Sequence, residues 1–331
     1  MGGDDAPVSE VAGAVDSLKE KNDHKVILVG KKNLIQKELS RFKYDSARIE
    51  VVDCSEVIDM HDSPTDALRK KPDSSIVVGL KLHKEKKADA FISAGNTGAV
   101  MAASLFLLGR IANVTRPTIG SEFPTEKGIT TLFDVGASVD CKPVHLLEFA
   151  AMGSVYVNHI YGIKNPRVAL LNVGEEKGKG DNLSLEAYDL LENSKLNFIG
   201  NVEGRDILKG KAEVIVCDGF AGNVILKFAG SVPGLLKAKF REYAEQSFFK
   251  KIWVGLMSGT LKNILKSLDS QEYGGVPLLG VNGVSIIGHG SSTPKAIKNM
   301  IFKAEQMVRA GINDIIQEKL KDIKQFIPNT A

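Results

Sequence analysis

Four short segments of this chain hold the residues best suited to chemistry, and they share one design. They are Ser93-Ala-Gly95-Asn96-Thr97-Gly98-Ala99, the run Asn172 to Gly180, the run Asp218 to Asn223, and Gly288-His289-Gly290-Ser291-Ser292-Thr293-Pro294. Each follows a short apolar run and opens a helical pattern. Glycine lets the backbone approach a ligand closely. A helix start offers free N–H groups and a partial positive charge, which suits an anion. One such turn often needs glycine for packing alone. Four together point to a single crevice, because parallel strands aim their C-terminal ends the same way. Asn96, Lys179, Asn223, Lys227 and His289 suit an anionic or carbonyl substrate. His289, between two glycines, is a candidate proton donor or oxyanion ligand; a histidine bonded within its own turn is the alternative. Lys227 lies one helical turn after Asn223, so both can face one site, unless Lys227 is simply a solvated lysine. Asp218 either positions a basic partner or caps the following turn.

Other chemistries fit poorly. Gly174 to Gly180 is one residue short of a P-loop and has glycine where Ser or Thr would hold magnesium. The first βα turn, near Gly30, lacks the dinucleotide fingerprint, which disfavours a hydroxy-acid dehydrogenase. No HExxH or grouped His/Cys set suggests a metal, so no metal and no cofactor is expected. Lys and Arg are dispersed among 40 acidic residues, with a formal net charge of +3, which gives no case for nucleic acid. Cys54, Cys141 and Cys217 are far apart, as in a reducing compartment. The first residues lack the basic and apolar regions of a signal peptide. The longest nearly uncharged apolar run, Ala99–Leu108, is about half the roughly 20 residues that span a bilayer. The expected location is the cytoplasm, with any membrane contact made from the surface.

These loops need strands and helices to hold them. Strands are predicted at Val26–Val29, Ile49–Val52, Ala90–Ile92, Thr131–Asp134, Val168–Asn172, Phe198–Gly200, Val214–Cys217 and Val284–Ile287. They are short and continuously apolar, as in parallel strands buried on both faces. Alternation with helices predicts a doubly wound, mostly parallel α/β sheet in one domain over 1–331. Residues about 232–270 carry no strand signal. Apolar residues from Leu236 to Leu268, spaced mostly by three and four, predict a projecting helix or hairpin with its bend at Gly255 or Gly259.

Taken in order, Met1-Gly-Gly-Asp4 with Ala6-Pro7, Ser93 to Ala99, Asp134-Val-Gly-Ala137, Glu175 to Gly180, Glu203-Gly-Arg205, Asp218 to Asn223, Val276-Pro-Leu-Leu-Gly280 and Gly288 to Ser292 resemble the PlsX family of acyl-phosphate synthases. The resemblance runs over essentially the whole chain. It implies a fold related to phosphate acetyltransferases and, more distantly, isocitrate dehydrogenases. It implies acyl transfer from acyl-acyl-carrier-protein to inorganic phosphate, with the acyl phosphate passed to a membrane glycerol-3-phosphate acyltransferase. It also implies a homodimer and peripheral contact with the inner face of the cell membrane. Lys179, Asn223 and His289 are then the expected catalytic residues. Asp4, Gly95, Asn96, Thr97, Gly98, Asp134, Asn172, Asp218, Lys227, Gly290 and Ser291 are expected to line the substrate site. The family carries a short apolar strand ending in Asp-Ala directly ahead of the Met-Gly-Gly-Asp motif, so a strand position ahead of Met1 is implied. Ser138 stands where relatives usually have Asn. Trp253, Phe248 and Phe249 beside Lys250 and Lys251 suit a membrane interface, or a packed dimer face. A phosphotransacetylase-like enzyme using acyl-CoA and a non-catalytic carrier-binding scaffold remain the competing readings.

Overall fold

The computed structural model describes residues 1–266 and 270–324, with side chains at 1–260 and 271–323. Its elements alternate as expected: α1 (Val8–Glu20), β1 (Val26–Gly30), α2 (Lys32–Leu39), β2 (Ile49–Asp53), α3 (Pro64–Lys70), α4 (Ser75–Lys84), β3 (Ala90–Ser93), α5 (Thr97–Leu107), β4 (Thr118–Thr125), β5 (Gly128–Phe133), α6 (Pro143–Tyr161), β6 (Val168–Leu171), α7 (Asn182–Glu192), β7 (Phe198–Val202), β8 (Val214–Val216), α8 (Gly219–Glu245), α9 (Phe248–Lys266), β9 (Val276–Leu279), β10 (Val284–Ile287), α10 (Pro294–Arg309) and α11 (Ile312–Lys324).

Successive strand residues feed two cores, because side chains alternate across a sheet. Val214 and Val216 join one apolar cluster with α1, α6, α10 and α11. Ile215 joins the other, which α3, α4, α5 and the start of α8 cover. The result is a three-layer α/β/α fold.

Eight strands form one sheet in the order β3-β10-β9-β4-β5-β8-β6-β7, while β1 and β2 form a separate parallel pair. Two of these strands, β4 and β9, were not foreseen. Strand β4 carries Gly120, Glu122 and Pro124, and β9 carries Pro277, all residues that weaken a strand signal. Glu122 is tolerated in the core because Lys303 Nζ (2.8 Å), Tyr161 Oη (3.0 Å) and Tyr156 Oη all donate to its Oε1. The two extra strands also change the topology. β9 is antiparallel to β10, β4 to β9, and β5 to β4. β8, β6 and β7 then run parallel to β5. The β3/β10 strands therefore point opposite to β5, β8, β6 and β7.

Strands β1 and β3 flank a cavity of about 1090 Å³ in the plane of the sheet. One face of it is roofed by Val11, Ala14, Ile297, Ile301 and Ala304, the other by Gly79 and Leu82. Met1 also lines it, and its Cγ would come within 2.7 Å of a Cβ placed on Gly30, at the end of β1.

The helical segment starts earlier than foreseen and bends elsewhere. α8 begins at Gly219, and the turn falls at Gln246-Ser247, since Gly255 and Gly259 lie within α9. Residues 267–269 of the expected hairpin lie outside the described residues. By length and composition α8 passes a test for a membrane-crossing helix, contrary to the single shorter run noted in the sequence. Its first turn, however, is wedged into the fold, where Gly219 and Gly222 are buried.

Candidate active site

The strand directions divide the four loops between two edges of the sheet. This corrects the expectation of one crevice. At the β3/β10 edge lie Asp4, Gly95, Asn96, Thr97, Gly98, His289, Gly290 and Ser291. At the opposite edge lie Asp134, Asn172, Lys179, Asp218, Asn223 and, further along α8, Lys227.

The β3/β10 edge is assembled by backbone contacts. Asp4 N donates to Gly290 O at 2.9 Å, and a Cβ on Gly290 would lie 2.8 Å from Asp4 Oδ1. Asn96 caps α5 by accepting from Ala99 N at 3.0 Å. Its Nδ2 donates to the carbonyls of Asp59, Met60 and Asp62. Asn96 is thus a buried clamp on the 59–62 loop rather than a ligand-facing amide. A Cβ on Gly98 would meet Pro64, so that glycine serves packing. Thr97 is exposed at the α5 start.

His289 is exposed, with Nδ1 2.8 Å from Ser291 Oγ and 3.3 Å from Ser291 N, which donates to it. An Nδ1 that accepts leaves the proton on Nε2, which is then a donor. Thr293 is the N-cap of α10 and Pro294 its first residue. The Met60 loop, which also borders Gly290, was missed in the sequence; only its contacts with Asn96 and Gly290 reveal it.

The opposite edge is more tightly knit. Asp134 is fully buried and accepts from Ile119 N (2.9 Å), Thr118 Oγ1 (3.2 Å) and Ser138 N (2.6 Å). Burial pushes its carboxyl above the ordinary value, against the backbone donors of Ile119, Ser138 and Ala137 that hold it down. It lies beneath the 135–138 loop and has no face for substrate. A Cβ on Gly222 would lie 1.8 Å from Asp134 O, and one on Gly219 would lie 2.6 Å from Ser138 O. Glycine at both places lets the start of α8 slide under this loop. Asp218 caps α8, accepting from Phe220 N (2.8 Å) and Ala221 N (3.0 Å), which settles its local role. Asn223, half-buried, touches the space over Gly136, which has φ +127°.

Alongside, Asn172 Nδ2 donates to Lys179 O at 2.8 Å and folds the 173–180 loop back over the end of β6. Other lysines nearby are engaged: Lys177 with Asp189 and Glu192, Lys211 with Glu175 and Asp206, and Lys209 with Asp206. Lys179 is exposed and makes no ion pair among the described residues. Neighbouring strands β6 and β8 therefore bring Lys179 and Asn223 to one corner.

Two cysteines lie at this edge. Burial pushes the Cys217 thiol well above its ordinary value and that of Cys141 up to about 11, so both are thiols at neutral pH.

Residues 1–315 match the family described as "Fatty acid synthesis protein". The chain is 50% identical to the phosphate acyltransferase of Dictyoglomus turgidum over 98% of its own length and 96% of the relative's. It is 46% identical to that of Halothermothrix orenii over 97% and 96%. Among solved structures, the EutD phosphotransacetylase from Staphylococcus aureus superposes with a TM-score of 0.60 at 14% identity, covering 90% of this chain and 91% of that one. A phosphotransacetylase from Streptococcus pyogenes gives 0.59 at 16%, covering 91% of each. Those two likenesses establish the fold alone. The fold class expected from the sequence is thereby met, and the chain belongs to the fatty acid synthesis protein family of phosphate acyltransferases.

Proposed function

We propose that this enzyme transfers a fatty acyl group from acyl-acyl-carrier-protein to inorganic phosphate, giving acyl phosphate for phospholipid synthesis. A phosphate oxygen attacks the thioester carbonyl, a C–O bond forms, the tetrahedral oxyanion collapses, and the C–S bond breaks to release the carrier thiolate, which takes up a proton. The observation that carries the reading is that the loops after the neighbouring parallel strands β6 and β8 carry Lys179 and Asn223 beside helix starts, with no activated nucleophile among the described residues. Phosphate is already nucleophilic, and the nearby cysteines are held as thiols. The enzyme's task is then to place a dianion beside a carbonyl and stabilise the oxyanion.

Lys179 pairs with phosphate, and the Asn223 amide donates to the oxyanion. Asp134, Asp218 and Asn172 hold the loops that present them. The β3/β10 edge, with the helix starts of α5 and α10, is a second anion site, and His289 Nε2–H is a donor to phosphate or to the departing thiolate. The chain works as a homodimer at the inner face of the cell membrane. The turn of the α8/α9 hairpin, with Phe248, Phe249 and Trp253 exposed beside Lys250 and Lys251, touches lipid there.

The deciding assay traps acyl phosphate formed from acyl-carrier-protein and from acyl-CoA side by side. Faster turnover on the carrier is expected, and equal or faster turnover on acyl-CoA would overturn the donor assignment. Lys179→Ala and Asn223→Ala should each lower turnover by about 100-fold or more, the usual loss of an oxyanion-stabilising group.

A further inference from the structure

The start of α6 gathers positive charge that the Lys179/Asn223 corner does not use. Thr115 fixes the chain beside it, donating from N (2.8 Å) and Oγ1 (2.7 Å) to Glu148 Oε2 on α6. The next residue, Arg116, is exposed, and Thr118 Oγ1 then donates to Asp134 Oδ1 after β5. Lys142, also exposed, is the N-cap of α6, and its N donates to His145 Nδ1 at 3.0 Å. An Nδ1 that accepts leaves the His145 proton on Nε2. His145 is only 7% exposed, and that N–H has no partner among the described residues.

The charge around this donor is uncompensated. α6 is 19 residues long, and its start adds a partial positive charge. Arg116 and Lys142 make no ion pair among the described residues, and neither does Asp140, the exposed carboxylate on the loop before Lys142. Burial, then the charges of Arg116 and Lys142, hold the His145 pKa below its ordinary value, so both cations act on a neutral ring. Two cations and an N–H donor at a helix start suit a phosphate.

Distance decides which phosphate. β4 begins beside the end of β5, so Arg116 stands at the same sheet edge as Lys179 and Asn223. From β4 it is two inter-strand steps to β8, which precedes Asn223, and three to β6, which precedes Lys179. At about 4.8 Å per step these are about 10 and 14 Å. The attacking phosphate must lie about 3–3.5 Å from the carbonyl, which is much closer. A thioester carried on phosphopantetheine has another phosphate at the far end of its arm. That arm is about four peptide units long, or about 15 Å extended. With its carbonyl at Asn223, its phosphate reaches the start of α6.

We propose that Arg116, Lys142 and the His145 Nε2–H bind the phosphate of the acyl donor's phosphopantetheine arm. This rests on the acyl-transfer reading of the Lys179/Asn223 corner.

The test uses two small donors that differ only in that phosphate, acyl-phosphopantetheine and acyl-pantetheine, with the wild type and the Arg116→Ala/Lys142→Ala double variant. Both substitutions are on the surface, so the fold is kept. In the wild type the phosphorylated donor should have the lower KM, by about tenfold or more, the worth of one charge-assisted contact. In the double variant the two donors should become alike, while KM for inorganic phosphate stays where it was. A wild type that does not distinguish the donors, or a variant that keeps the distinction, overturns the inference. So does a rise in KM for inorganic phosphate with the donor preference intact, which would assign the cations to the acceptor. Binding is read apart from turnover by titrating phosphopantetheine into the isotope-labelled protein. The His145 ring resonances should shift saturably in the wild type and not in the double variant, and pantetheine should leave them in place. Absence of that shift overturns the inference. The shift without acyl phosphate from any donor would overturn the acyl-transfer reading alone.

Discussion

Helices α6 and α8 are two long helices that start near the Lys179/Asn223 corner, and they meet opposite fates. In α6 every residue from His145 to Val157 is buried, whereas α8, although longer, buries only Gly219 and Gly222. Both are rich in apolar residues. α6 spends its apolar surface on the sheet and on α11, and so serves as the spine of the protomer. α8 is anchored by its first turn and then leaves the body, presenting Phe228 and Leu235 to whatever lies outside. Amphipathic pattern alone does not distinguish a helix that stabilises its own chain from one reserved for another surface.

The largest test of this contrast is Phe149→Ala, at the centre of α6 with no exposure. It should cost about 3–5 kcal/mol, read as a drop in the urea midpoint, as for other fully buried aromatic deletions. Next is Gly222→Ala at the anchored end of α8. Its new methyl meets Asp134 O, and overpacking of this kind costs about 1–3 kcal/mol. Turnover should fall with it, because the 135–138 loop must move; unchanged kinetics would sever the link between that contact and the site.

A smaller effect concerns the start of α6. His145 Nδ1 accepts from Lys142 N at 3.0 Å. Burial, with the charges of Arg116 and Lys142, holds the His145 pKa below its ordinary value. A lowered folded value means that the neutral ring stabilises the fold above the unfolded pKa of about 6.5, and that this contribution is lost as pH falls below it. His145→Gln should therefore flatten the fall of the melting temperature as pH drops below about 6.5. The smallest stability change belongs to the projecting part of α8. Phe228→Ser should shift folding stability by less than about 0.5 kcal/mol, as exposed sites do, while weakening self-association in sedimentation. A change in melting without a change in association would reverse the contrast.

The cavity between β1 and β3 offers a further check on which regions are closed. An apolar, β-branched pentapeptide fused ahead of Met1 should raise the melting temperature and protect β1 and β3 amides from hydrogen exchange. The cavity has strand edges on two sides and helices on the others, and unpaired backbone groups there lack partners. A charged fusion of equal length should do neither.

The sequence by itself determined the βα alternation, the glycine-rich turns and the family, whereas the structure decided that Asp218 caps α8 and Thr293 caps α10. The features determined by the sequence depend on local spacing and on φ preferences that act within a few residues. Only the tertiary structure decided that Asn96 and Asp134 are clamps, because their partners lie 34–37 and 15–16 residues away in the chain. It alone decided that the sheet reverses direction. That reversal rests on β4 and β9, whose Glu122 and Pro277 read as non-strand until Lys303 and the neighbouring strands are in place. Long-range pairing overrode local propensity at those two strands, and with them it divided one expected crevice into two edges.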